Sequence, residues 1–82
     1  MNESKKEVTI YVDGTEHKWE KGKITYAEVV TLEFPDYPQH PERTYSVTYK
    51  KGKGDDKHTL TPGGSVETAN GMMFYVTETG QS

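Results

Sequence analysis

The 82-residue chain has room for one domain and not for two. Ten Lys and Arg against thirteen Asp and Glu leave a formal charge of −3, which excludes a strong positive field for nucleic acid or an acidic membrane. Cysteine is absent, so disulfides, thiolate catalysis and thiolate metal sites are excluded together, as suits a reducing cytoplasm.

Residues 1–7 are polar, without periodicity or the apolar core of a signal peptide, and are expected to form a loose arm. No apolar run approaches the roughly 20 residues that span a bilayer. A soluble, cytoplasmic protein is therefore expected. The apolar fraction is only 30%, but six Tyr, two Phe and one Trp supply rings with large buried area. Val8, Ile10 and Val12 alternate with Thr9 and Tyr11, the two-residue period of a half-buried strand. Asp13-Gly14 follows as a tight hairpin signal and returns the chain through a second strand over residues 16–19, with Trp19 as its inward anchor.

After a turn at Lys21-Gly22-Lys23 comes the helix signal, ITYAEVVTLEF. Thr25 caps it, Glu28 completes a capping box, and Ile24 with Val29 forms a hydrophobic staple. Val29 and Val30, joined by Tyr26 or Leu32, face the sheet. Pro35 disfavours a helical Phe34, which limits the helix to residues 26–33. A helix this short, with Val29, Val30 and Thr31 in it, needs a sheet to pack on. Residues 34–43 form a proline-containing loop. Tyr45, Val47 and Tyr49 mark a third strand, residues 51–57 a charged turn, residues 58–61 a short fourth strand and residues 65–67 a brief extended piece. A turn at Asn70-Gly71 precedes a last strand, with Met72, Phe74 and Val76 on one face and Met73, Tyr75 and Thr77 on the other. Residues 78–82 read as a polar tail.

One helix among these strands predicts an α+β fold of the β-grasp type. A mixed sheet of four to five strands packs on one short helix, with the first and last strands parallel at the centre. The competitor is a small SH3-like barrel, which has no use for the capping box. The expected organisation is an arm over 1–7, a domain over 8–77 and a tail over 78–82.

The stretches ITYAEVVTLEF, YSVTYKKG, LTPGGSV and NGMMFYVTETGQS, in that order over residues 24–82, together with the looser VTIYVDG, resemble the bacterial ubiquitin-like family called the multiubiquitin domain. The resemblance implies a β-grasp fold and a protein modifier whose partners are relatives of ubiquitin-activating, conjugating and deconjugating enzymes. ATP and magnesium would belong to the activating enzyme, and no cofactor is expected on this chain. Family members often carry tandem copies, whereas this chain shows no internal repeat. The family's closing Thr-x-x-Ser corresponds to Thr79-Gly80-Gln81-Ser82, which the resemblance implies as the conjugation tail, while the diglycine end of ubiquitin is absent. A tail entering a narrow nucleotide site must be extended and unbulky, which suits Gly80. Use after trimming at Gly80, use with Ser82 as terminus, and no conjugation at all stay open.

Tyr11, Met73 and Tyr75 are expected on the outer sheet face, as a protein-binding surface or as scattered surface hydrophobes. His17, His40 and His58 are too far apart for a local metal motif. KGKGDDK lacks the pattern of a phosphate-binding loop, and Asp55-Asp56 lacks that of a calcium loop. Two PxxP matches, Pro35 to Pro38 and Pro38 to Pro41, read more economically as a rigid loop than as an SH3 ligand. With no Ser-His-Asp or Cys-His order, the chain is expected to be non-enzymatic. A non-conjugated binding module that uses only the sheet face is the alternative to a modifier.

Overall fold

The computed structural model describes residues 6–40 and 42–79. β1 (Glu7–Val12) and β2 (Thr15–Glu20) form the expected hairpin. Asp13 and Gly14 take φ of 50° and 86°, the positive values that a two-residue turn matching strand twist demands. β3 (Lys23–Thr25) leads directly into α1 (Tyr26–Glu33), and a 3-10 turn at Tyr37–Gln39 holds Pro38. β4 (Tyr45–Lys50), β5 (His58–Leu60), β6 (Ser65–Glu67) and β7 (Met72–Glu78) complete the chain.

The main sheet has five strands in the order β2-β1-β7-β4-β5. β1 and β7 pair in parallel at its centre, Ile10 opposite Met72 and Val12 opposite Phe74, and the other ladders are antiparallel. This is the predicted α+β arrangement, and it suits a β-grasp fold rather than the barrel. β3 and β6 form a separate antiparallel pair, Ile24 opposite Val66. The β6 segment is legible in the sequence, whereas Ile24 reads there only as the helix staple. With three residues per strand, one buried side chain cannot establish a period.

α1 begins as its residues dictate. The Thr25 hydroxyl accepts the Glu28 N–H at 3.1 Å, and the Glu28 carboxylate accepts the Thr25 N–H at 2.9 Å. The Tyr26 N–H, another orphan donor of the first turn, is met by the Gly64 carbonyl at 3.0 Å. Phe34, with φ −127° and ψ 86°, ends the helix before Pro35. Tyr26, Val29 and Val30 are buried and Leu32 only half-buried, which resolves the choice of inward residue in favour of Tyr26.

Val8, Ile10, Val12, Met72, Phe74, Val76, Tyr45, Val47 and Leu60 form the sheet side of the core, and Ile24, Tyr26, Val29 and Val30 form the other. The Tyr26 hydroxyl fastens the layers by donating to the Tyr45 carbonyl at 2.8 Å and accepting the Tyr45 N–H at 3.2 Å. Trp19 is half-buried against this core, and its indole N–H donates to the Lys23 carbonyl at 3.3 Å.

The ends differ from the sequence expectation. Glu7 is the first residue of β1, and the Lys6 carbonyl accepts the Lys21 N–H at 2.8 Å, so the sheet takes up part of the expected arm 1–7. Of the expected tail 78–82, Glu78 closes β7 opposite Tyr45, and Thr79 bonds to Thr44. The polarity of these residues disguised them, because exposed strand ends carry no apolar alternation.

Candidate functional site: the outer sheet face and the end of β7

Tyr11, Met73 and Tyr75 come together on the sheet face opposite α1. Tyr11 and Met73 are cross-strand partners, and Tyr75 lies two residues further along β7 on the same face. The Tyr75 hydroxyl approaches the Met73 sulfur at 3.7 Å. All three side chains are half-buried. With Gly14 and Phe74 they line a concavity of about 270 Å³, room for one side chain of a partner.

The rim of this patch is charged and polar. Lys57 sits over the Tyr75 ring, its Nζ 4.5 Å from the centroid. Lys50 is the β4 partner of Met73, and Thr48 that of Tyr75. On the other flank Glu16 stands opposite Tyr11, and its carboxylate lies 3.5 Å from Lys18 Nζ. The centre is thus apolar, cationic toward β4 and β5 and neutralised toward β2. The three apolar residues are legible in the sequence. The position of Lys57 depends on how the 51–57 turn folds back, which no local pattern encodes.

β7 outruns its parallel neighbour. β1 ends at Val12 opposite Phe74, and the Asp13 N–H donates to the Phe74 carbonyl at 2.8 Å. The Asp13 carboxylate then accepts the Val76 N–H at 3.2 and 3.4 Å. This side chain stands in for one further rung of backbone. On the opposite edge β4 continues to pair, and the Thr79 N–H donates to the Thr44 carbonyl at 2.9 Å, with the two hydroxyls 3.1 Å apart. Because backbone groups alternate along a strand, those of Glu78 point toward the side where β1 has already ended. Thr77, Glu78 and Thr79 are exposed. Of the predicted tail residues Thr79, Gly80, Gln81 and Ser82, the last three lie outside the described residues.

The histidines lie apart, His17 on β2, His40 after the 3-10 turn and His58 on β5. His40 Nε2 is 3.4 Å from Asp36, its Nδ1 3.4 Å from Glu42, and His58 Nε2 3.4 Å from Asp55. Among the described residues no group of three or more His, Cys, Asp or Glu could hold a metal ion. In the 51–57 turn the Asp55 carboxylate accepts the Lys51 N–H at 2.9 Å, and this bond first, then the nearby His58, holds its carboxyl below the usual range. That bond gives Asp55 of KGKGDDK a structural role within the turn. The turn over Tyr37–Gln39, which holds Pro38, is 3-10 rather than polyproline.

No helix among the described residues is long and apolar enough to cross a membrane. No curated protein and no solved structure matches the chain. The sequence model of the multiubiquitin family matches residues 8–80, from the second residue of β1 to just past the end of β7. Its span coincides with the sheet and helix described above, and the chain belongs to the multiubiquitin family as a ubiquitin-like domain.

Proposed function

We propose that the chain is a ubiquitin-like protein modifier, activated and conjugated through Thr79, Gly80, Gln81 and Ser82 in a bacterial ubiquitination-like pathway in the cytoplasm. The observation that carries this reading is the overrun of β7, a central strand anchored deep in the core at Met72 and Phe74 that presents Thr77, Glu78 and Thr79 to solvent. A rigid strand leading into residues 80–82 gives an activating enzyme a fixed body to recognise beside the carboxylate it uses. Such an enzyme, with its own ATP and magnesium, adenylates the carboxylate and releases pyrophosphate. A nucleophile on the enzyme or its target then displaces AMP. The domain supplies recognition and no catalytic group. Its partners in this reading are relatives of ubiquitin-activating, conjugating and deconjugating enzymes.

The test is ATP–pyrophosphate exchange with a ubiquitin-activating-enzyme relative from the same organism. Exchange should depend on the intact chain and fall to background when residues 80–82 are deleted. Unchanged exchange after that deletion overturns the use of this end. A non-conjugated binding module is the second reading, favoured by the Tyr11, Met73 and Tyr75 concavity and by the bonding of Thr79 to β4. It predicts no covalent adduct of the chain in cells and binding through the outer face alone.

A further inference from the structure

A second surface lies on the other side of the molecule, between β2 and α1. β2 is an edge of the sheet, and among the described residues no strand pairs with its outer side. The two-residue turn makes Val12 and Thr15 a hydrogen-bonded pair, so Thr15, His17 and Trp19 direct their backbone groups to β1. The bond from Lys21 N–H to the Lys6 carbonyl continues the same alternation. Glu16 and Lys18 therefore turn their N–H and C=O groups outward. β2 has no proline and no bulge along its six residues to blunt this edge.

Directly beneath that edge runs an apolar groove of about 270 Å³, lined by Trp19, Ala27, Glu28, Thr31 and Leu32. Strand alternation couples the two features. A strand added to β2 sends every second side chain down into this groove, beside His17 and Trp19, and the intervening ones up beside Glu16 and Lys18.

We propose that the β2 edge and the α1 groove together bind an extended peptide segment of a partner protein by strand addition, with a sequence that charge complementarity defines. The residue opposite Glu16 is basic and the residue opposite Lys18 acidic, since like charges directly opposed across a ladder repel. The residues opposite His17 and Trp19 are aliphatic and fill the groove. The recognised class is an alternation of basic, aliphatic, acidic and aliphatic residues in extended conformation. A second copy of this chain fits less well. In the register that pairs each Glu16 with the other copy's Lys18, His17 faces His17 and no aliphatic side chain opposes it. The groove shares no lining residue with the outer-face concavity, whose rim Glu16 and Lys18 also flank, and the site does not depend on conjugation.

The test is an amide NMR titration of the whole protein with the synthetic peptide SKVEVKS, which reads the same in both strand directions. Its charge-inverted control is SEVKVES. The expected result is shifts at the Glu16 and Lys18 amides and the Trp19 indole N–H, slower hydrogen exchange at those two amides, and binding at least about fivefold tighter for SKVEVKS than for the control. Ala27→Arg, at an exposed helix position, lays a long side chain over the groove and should weaken binding by about tenfold with the unbound spectrum otherwise retained. Equal binding of the two peptides, shifts centred on Tyr11, Met73 and Tyr75, or no shift at millimolar peptide would overturn the proposal. Concentration-dependent shifts of the β2 amides without peptide would overturn it in favour of self-association.

Discussion

Two tyrosines separate what a buried hydroxyl gains from what it costs. The Tyr26 hydroxyl holds both backbone groups of Tyr45, whereas the Tyr45 hydroxyl, also buried, has no hydrogen-bond partner among the described residues. Removing the first leaves a buried N–H and C=O unmet, and Tyr26→Phe is expected to cost about 1–3 kcal/mol. Removing the second leaves nothing unmet. Tyr45→Phe should be neutral or stabilising, while its ring keeps the stack with Phe34 at 4.9 Å and the edge contact with Tyr37 at 5.5 Å. Urea melts of the two variants check the contrast, and an equal loss in both would refute the assignment. Neither role is legible in the sequence, where Tyr26 reads as an alternative to Leu32 on the helix's inward face and Tyr45 as one alternating residue of the third strand. Which hydroxyl finds a partner depends on the crossing of α1 over β4, a long-range fact.

At the scale of an element, α1 is well begun and poorly ended. Its capping box was readable because a cap is a local pattern, and so was its end, because proline acts on the residue before it. The last turn has no basic residue, and Glu33 places a carboxylate at the negative end of the helix dipole. Burial, and then the like charge of Asp13 on the hairpin turn, raise the Glu33 carboxyl above its ordinary 4.5, with His17 opposing. A folded-state value above the unfolded one means that the protonated form is the one folding favours. The associated stability is present below about pH 4.5 and is lost as pH rises through the raised value. At neutral pH the ionised Glu33 therefore destabilises the fold. Glu33→Gln should melt higher than the parent at pH 7, and the gap should close as pH falls below about 4. Glu42, lowered first by its own backbone N–H, and Asp55, lowered first by that of Lys51, lose stability in the opposite direction on acidification. Both proteins share those groups, so their effect cancels in the difference. A gap that stays constant with pH would mean that Glu33 does not titrate differently in the folded state.

Across the whole molecule, the strands legible in the sequence were those long enough to alternate. Val8 to Val12 and Met72 to Val76 announced both their faces and, through their shared apolar strength, their central pairing. The three-residue β3 did not, and neither did the groove between Trp19 and α1, which exists only once β2 and the helix lie side by side. Alternation also divides labour between the two faces of β7. Phe74 is fully buried and Tyr75 half-exposed, one bond apart in the chain and on opposite sides of the sheet. Phe74→Ala should therefore unfold the domain or cost about 3–5 kcal/mol by opening a cavity beneath α1. Tyr75→Ala removes one wall of the outer concavity and the seat of Lys57, and should leave a cooperative melt with a loss near 1 kcal/mol or less, since surface substitutions seldom cost more than about that. If the outer face is where partner proteins dock, the same Tyr75→Ala weakens their binding by about tenfold or more, as losses of buried aromatic anchors do at interfaces. Calorimetry and a pull-down quantified against the parent protein read the two effects separately. Binding lost together with the cooperative transition would place Tyr75 in the framework of the fold, and binding retained would move the docking surface off this face.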